Sequence, residues 1–247
     1  MDVQLPIRPL TDTVFGLGRE ALAVGSAVAR YRRTFVVPER PPTGRPSWTT
    51  RPVVLVHGFG HNAGAFSELA ARLAAAGFFD LSTVTYGIDD DVPGIAARID
   101  EQVDAITTAL GVDRVHLVGH SVGGVAIRYW YDVLGGDEHA DAVVTLGAPL
   151  RGAIWTRLPF LRPPARDLAA GSSVTAVLGR RSGRHRQWTT VGGTFDLVVP
   201  PRRAHLDDGE VVDVPTGHAG LLTSARAAGE VCLALLHAED LRAAASR

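Results

Sequence analysis

A serine between two glycines is the first feature of this sequence that indicates chemistry. The segment VGHSVGG, residues 118–124, follows a short β-branched run and precedes a helical pattern. A serine at such a strand-to-helix turn is presented above the sheet, and glycines two residues before and after it prevent a collision between strand and helix. Gly119 and Gly123 occupy those two positions. The pattern therefore predicts that Ser121 is a nucleophile.

The serine needs a general base, because a hydroxyl group alone is a weak nucleophile. At turns of this type the acid and then the histidine follow the serine along the chain. Four histidines lie far enough downstream: His185, His205, His218 and His237. His218 lies in the loop after the last predicted strand, whereas His237 lies on a predicted helix and His185 in an arginine-rich turn. The position favours His218 as the base.

The acid that orients the histidine is predicted to be Asp196. It lies in the segment GTFDL, just after a predicted strand that ends at Val191. Asp207 and Asp208 are alternatives, but they lie in a polar turn before the last strand, where aspartate commonly serves as a turn residue. The sequence therefore favours a Ser121, Asp196, His218 triad.

An oxyanion hole needs two backbone donors that converge on one point. The loop HGFGH, residues 57–61, follows the first predicted strand and leaves the backbone open at Gly58 and Gly60. We expect the Phe59 and Val122 N–H groups to be the donors. A metal site at His57 and His61 is the alternative, but no acidic or sulfur ligand lies nearby at suitable spacing, so no metal is expected.

Short apolar strands alternate with longer helical patterns along the rest of the chain. This alternation predicts an α/β fold with a mostly parallel central sheet and helices on both faces. Ligands in such sheets bind beyond the carboxyl ends of the strands. The predicted strands are 52–56, 82–86, 114–118, 142–146, 188–191 and 210–214, and the predicted helices are 62–76, 92–110, 122–134 and 221–241.

Residues 1–46 are predicted to form an extension to the catalytic domain, which spans residues 47–247. Apolar residues recur with helical spacing between Val14 and Arg33, and a proline-rich connector follows. This amphipathic helix is expected to pack on the domain; contact with a membrane surface is the alternative. The start lacks the pattern of a secretory signal, and no apolar run of 18 residues exists. The sequence therefore favours a cytoplasmic protein, with peripheral membrane contact as the alternative.

The composition excludes several other classes of protein. Hydrophobic residues make up 46% of the chain, which is typical of a globular protein and not of disorder. The formal net charge of -1 gives no general attraction to nucleic acid. The single cysteine, Cys232, precludes an internal disulfide.

Five motifs, in order, resemble those of the compact bacterial triacylglycerol lipases of the α/β-hydrolase superfamily. They are also similar to those of the related deacylases that release lipid anchors. The motifs are VVLVHGFG, VHLVGHSVGG, VVTLGAP, GTFDLVVPP and GHAGLL, and the resemblance covers roughly residues 52–236. It implies the triad and the oxyanion donors named above, acyl esters as substrates, and no cofactor. Residues 1–50 have no counterpart in that family.

The segment 150–187 is longer than in the smallest lipases of the family. Its apolar residues lie among prolines and arginines, a mix suited to a small cap over an apolar pocket. We expect Trp155 and Phe160 to contact an acyl chain. The alternative is a surface loop that packs against the core.

The sequence leaves several functions open. An esterase or lipase acting on a small-molecule ester or lipid is favoured. An acyltransferase or a thioesterase would use the same triad, and a binding protein of the same fold would need no triad. The oligomeric state is not indicated.

Overall fold

The computed structural model describes residues 51–153, 163–179 and 187–245. Within these residues, six strands form one sheet in the order β2-β1-β3-β4-β5-β6, and all neighbouring strands are parallel. The strands are β1 Val53–Val56, β2 Leu81–Val84, β3 Val115–His120, β4 Ala140–Leu146, β5 Trp188–Gly193 and β6 Glu210–Val214. The predicted α/β architecture is confirmed.

The helices cover both faces of the sheet, as predicted. Successive strand residues point to opposite faces, so Val54 and Val56 pack with the second and third helices, whereas Val53 and Leu55 pack with the first and the last. The described helices are α1 Ser67–Ala75, α2 Val92–Leu110, α3 Val122–Val133, α4 Pro163–Asp167, α5 Ser173–Leu178, α6 Pro201–Ala204 and α7 Ala225–Ala245.

Helix α2 shows why the sequence pattern located its ends well. Asp91 caps the helix by accepting a hydrogen bond from the Gly94 N–H at 2.8 Å. The helix ends at Gly111, whose φ of 66° lies in the left-handed region that glycine adopts without steric cost. None of the described helices is long and apolar enough to cross a membrane.

The strand order places a crevice at the carboxyl end of the sheet. The chain leaves β1 toward one edge to form β2, then returns to form β3 on the other side of β1. Ligands of open parallel sheets bind at the point where the connections change direction. The loops after β1 and β3, which carry Phe59 and Ser121, meet there.

The predicted start of the last helix, at residue 221, is wrong. The last helix begins at Ala225, whereas residues Ala219–Leu222 form a separate turn of 3-10 helix after His218. The short helices α4, α5 and α6 were not predicted, because four to six residues give too little periodicity to distinguish a helix from a loop.

Part of the segment 150–187, which was predicted to form a cap, packs in the hydrophobic core. Leu168, Val174 and Leu178 from residues 150–187 are buried in the hydrophobic cluster that includes α3. Arg128 on α3 donates to the Leu150 carbonyl and to the Leu178 carbonyl, each at 2.8 Å. These described residues of the segment are therefore scaffold. Trp155 and Phe160 lie outside the described residues, as does the predicted helix 14–33.

Candidate active site

Ser121 has an unusual backbone conformation. With φ 53° and ψ −124°, it is the single non-glycine residue of positive φ among those described. Its N–H donates to the Leu146 carbonyl at 2.9 Å, which fixes the turn between β3 and α3. Strained backbone of this kind clusters at functional sites. The predicted strand-to-helix turn is present at this position.

The glycines around Ser121 are required by close backbone contacts. A Cβ on Gly119 would lie 2.6 Å from the Gly124 Cα, and a Cβ on Gly123 would lie 2.2 Å from the Val56 carbonyl oxygen. Both distances are too short for any side chain. The two positions therefore exclude every residue except glycine, for the reason that the sequence pattern indicated.

His218 and Asp196 meet at the same edge of the sheet. His218 Nδ1 lies 2.7 Å from Asp196 Oδ2, and the Asp196 side chain is inaccessible to solvent. The other carboxylate oxygen accepts hydrogen bonds from the Val198 and Val199 N–H groups at 2.8 and 2.7 Å. Asp196 is thus held by three donors, and it orients the imidazole through one nitrogen while leaving the other available.

Gly147 brings the nucleophile turn and the histidine together, a role that the sequence reading missed. It follows Leu146, whose carbonyl binds Ser121, and a Cβ at this position would lie 3.1 Å from His218 Nδ1 and 3.2 Å from Asp196 Oδ2. The motif VVTLGAP places Gly147 directly after β4. A glycine after a buried strand at this edge was the signal that could have revealed its role.

The loop after β1 passes directly beside the serine. A Cβ on Gly58 would lie 3.1 Å from the Ser121 Cβ. Neither the Phe59 N–H nor the Val122 N–H has an acceptor in the part of the chain that the structure describes. Val122 is the first residue of α3, where an N–H has no partner within the helix. Both predicted oxyanion donors are therefore N–H groups without a hydrogen-bond acceptor among the described residues.

Three further histidines surround His218. The His120 ring lies 4.8 Å from the His218 ring and 5.6 Å from the His61 ring, centroid to centroid. His120 Nε2 also lies 3.3 Å from the His218 carbonyl oxygen. The His57 ring stacks on Tyr86 at 4.0 Å. From the sequence, His57 and His61 were predicted only as an alternative metal site, and no role was predicted for His120.

Burial keeps these three rings neutral. It lowers the pKa of His61 to about 4, with neighbouring His57 and His218 acting in the same direction. Burial lowers the pKa of His120 well below its usual value, and that of His57 as well, although a backbone hydrogen bond to Gly58 opposes the latter shift. At neutral pH the three rings add no positive charge beside His218.

The remaining candidates for base and acid lie elsewhere. His205 contacts Thr190 Oγ1 at 2.9 Å and Asp213 Oδ1 at 3.2 Å, so both ring nitrogens are occupied. His237 is exposed on α7, and His185 lies outside the described residues. Asp207 is exposed and forms an ion pair with Arg151.

One cluster within the described residues has ligand atoms suited to a metal. Atoms of His116, Asp141 and Glu239 lie within 4.8 Å of one another, at the opposite end of the sheet. Arginines already balance its carboxylates: Arg51 Nε lies 3.2 Å from Asp141, and Arg242 donates to Glu239 at 2.5 Å. The cluster is therefore an ion-pair network that joins the sheet to α7.

An apolar cavity of about 250 Å³ lies beside the acid loop. Pro149 and Ala153 lie on one wall, and residues 197–200, which follow Asp196, lie on the other. Leu197, one of the lining residues, is 68% exposed.

The class of α/β-hydrolase folds is defined by a parallel sheet with a strained serine after a central strand. An aspartate and then a histidine follow this serine along the chain. The family model described as the alpha/beta hydrolase fold matches residues 51–189, more than half of the sequence. The chain belongs to this family.

Solved structures of lipases share the fold. The mature Bacillus licheniformis lipase BlEst2 has a TM-score of 0.64 at 16% identity, over 80% of this chain and 96% of that chain. Lipase B of Aspergillus fumigatus has a TM-score of 0.60 at 18% identity, over 70% of this chain but only 49% of the fungal chain. The monoacylglycerol lipase of Paleococcus ferrophilus has a TM-score of 0.51 at 19% identity, over 76% and 95% of the respective chains. At these identities the likeness demonstrates a common fold.

Proposed function

We propose that this protein is a serine hydrolase that cleaves carboxylic esters through an acyl-enzyme on Ser121. The observation that carries the proposal is the 2.7 Å contact between His218 Nδ1 and the buried Asp196 carboxylate, at the sheet edge where Ser121 occupies its strained turn. A histidine with one nitrogen bound to a carboxylate has its other nitrogen free to accept a proton.

In the first half of the reaction, Ser121 Oγ attacks the ester carbonyl carbon and its proton passes to His218 Nε2. The N–H groups of Phe59 and Val122 stabilise the negative oxygen of the tetrahedral intermediate. His218 then gives its proton to the departing alcohol oxygen as the carbon–oxygen bond breaks. The second half repeats these steps with water as the nucleophile, which releases the acid and restores the serine.

The neutral histidines favour this cycle. A fixed positive charge beside His218 would oppose the imidazolium that forms during each half-reaction. Burial keeps the His120 and His61 rings uncharged, so that His218 alone gains a proton during the reaction.

An apolar acyl group fits the surroundings of the triad. The cavity beside Asp196 is apolar along most of its lining, which includes exposed Leu197. The lipase activities named for the structurally similar proteins point in the same direction. The contribution of Trp155 and Phe160 to acyl binding stays a prediction.

Labelling with a fluorophosphonate probe tests the proposal, because the probe reacts only with an activated serine. The wild-type chain should be labelled and should hydrolyse p-nitrophenyl esters in a panel from acetate to palmitate. Ser121→Ala should abolish labelling and lower turnover by on the order of a millionfold. Residual turnover within tenfold of the wild type would refute the nucleophile assignment.

A further inference from the structure

Arg203 is the one charged side chain among the described residues that line the 250 Å³ cavity. The cavity is smaller than a typical site for a drug-sized ligand, which spans about 300–1,000 Å³. It therefore fits one short chain of a substrate, with a cation at its wall.

The cavity is directly connected to the candidate triad. Val198 and Val199 line it, and their N–H groups bind the Asp196 carboxylate. On the opposite wall, Pro149 is two residues beyond Gly147, which abuts His218. Two residues span at most about 7 Å. The cavity therefore lies next to the Asp196–His218 pair.

The guanidinium of Arg203 is held in place by backbone carbonyls and lies beside the cavity. Its Nη1 donates to the Arg151 carbonyl at 3.0 Å and to the Gly152 carbonyl at 3.2 Å. Its Nε is buried without a hydrogen-bond partner, and no carboxylate in the described parts of the chain pairs with it. By contrast, neighbouring Arg151 binds Asp207. A fixed guanidinium that no carboxylate neutralises recognises planar anions such as carboxylates.

The segment 150–187 is rich in arginine and poor in acidic residues. Residues 150–187 contain eight arginines and a single acid, Asp167. Asp167 is already bound to the Val92 N–H at 2.8 Å. The two stretches of this segment outside the described residues, 154–162 and 180–186, contain no aspartate or glutamate.

We infer that Arg203 binds a carboxylate at the far end of a short apolar chain of the substrate. The inference rests on the proposed ester hydrolysis at Ser121 and narrows it to esters of short dicarboxylic acids, in which one carboxyl is esterified and the other is free. The ester carbonyl lies at Ser121, the methylenes occupy the apolar part of the cavity, and the free carboxylate meets the guanidinium.

Matched pairs of esters test this subsite. Mono-p-nitrophenyl esters of glutarate, adipate and suberate are each compared with the neutral p-nitrophenyl acyl ester of the same chain length. At one length or more, the wild-type kcat/KM should favour the carboxylate ester by at least about tenfold, the effect of a charge-assisted hydrogen-bonded pair. Arg203→Met should remove this preference, because it should lower kcat/KM for the carboxylate ester much more than for the neutral ester of the same length.

Arg202→Met is the matched control, because Arg202 lies on the same short helix and is exposed to solvent. It should retain the preference. Arg203→Lys, which keeps the charge but not the planar fork, should retain part of it. Raising the salt concentration from about 0.02 to about 1 M should weaken the wild-type preference through screening, and this readout decides the question if Arg203→Met fails to fold.

An equal loss on both members of each pair would make Arg203 a scaffold residue and overturn the inference, as would the absence of any wild-type preference. Calorimetric binding of adipic acid monomethylamide and N-methylhexanamide to Ser121→Ala separates this inference from the proposed function. Preferential binding of the anionic amide without any ester hydrolysis by the wild type would refute only the proposed function. Hydrolysis of neutral esters without preference in either assay would refute only the subsite.

Discussion

The carboxylate of Asp196 makes three contacts and has no solvent access, which distinguishes it from the exposed carboxylate of Asp207. One oxygen accepts two backbone N–H groups, and the other contacts His218. A buried carboxylate with these partners stays in one orientation, so the imidazole is held with it. Asp207, one of the two alternatives from the sequence beside Asp208, is exposed and bound to Arg151.

Replacement of Asp196 by asparagine should therefore lower kcat by on the order of 10⁴, because the amide cannot hold the required tautomer of the histidine. Asp207→Asn, the exposed control, should change kcat less than about threefold, as is usual for a surface change away from the site. Rates on p-nitrophenyl acetate, with circular dichroism to verify the fold, provide the measurement. The reverse order of the two effects would move the acid to the turn before β6.

At the scale of elements, the contact between α3 and β1 depends on Gly123. A Cβ at this position would lie 2.2 Å from the Val56 carbonyl oxygen and 2.4 Å from the His57 carbonyl oxygen. Backbone atoms of a central strand cannot shift without disturbing the whole sheet. The separation of the nucleophile turn from the loop after β1 is therefore set by this single glycine.

Gly123→Ala should destabilise the protein by about 1–3 kcal/mol and reduce activity, since the helix has to move away from the strand. Gly229→Ala is the matched control, because Gly229 lies within α7 and a Cβ there would meet nothing within 4 Å. That change should stabilise the protein by about 0.5–1 kcal/mol. Urea unfolding of both variants measures the difference, and equal effects at the two positions would contradict the contact model.

Helix α7 is joined to the opposite end of the sheet by Glu239. Its carboxylate contacts His116 Nε2 at 3.1 Å and accepts from Arg242 Nε at 3.0 Å. Burial by itself raises the pKa of this carboxyl, but the hydrogen bonds from His116 and Arg242 outweigh it and lower the pKa to about 2. The usual value for the unfolded chain is 4.5.

Because the folded pKa is the lower one, ionised Glu239 stabilises the fold fully above about pH 4.5, and this contribution is lost as pH falls toward about 2. Glu239→Gln should lower Tm at pH 7, and its difference from the wild type should shrink steadily below pH 4.5. Asp240→Asn, exposed on the same helix, should show no such dependence. A constant difference across the acid range would show that Glu239 acts by packing alone.

At the scale of the whole molecule, the two ends of the sheet have separate tasks. The carboxyl end carries Ser121, Asp196 and His218 on three different loops, whereas the opposite end carries the ion-pair network around Glu239. The proposed chemistry and the ion-pair network are thus separated by the length of the strands, and changes at Glu239 should alter Tm without altering kcat on the neutral ester.

The amino-terminal extension has a test at this same scale. We predict that residues 1–33 pack on the catalytic domain, so their deletion should lower Tm or solubility and leave vesicle binding unchanged. Co-sedimentation with vesicles containing anionic lipid, before and after deletion, is the measurement. Binding by the intact chain that disappears on deletion would show instead that this segment contacts membranes.

The sequence by itself determined the order of the elements and the serine turn. Alternation of apolar and helical periodicities reflects local burial, and the glycines around Ser121 reflect a local steric constraint, so both can be read without long-range information. Only the tertiary structure decided which distant groups meet. Asp196 differs from Asp207 in burial, and His218 differs from His205 in its partners. Those differences depend on the pairing of strands that are far apart in the sequence. The contacts of His120, Gly147 and Arg203 depend on it too. A contact between remote residues leaves no periodic signal in the chain, so the sequence alone did not indicate them.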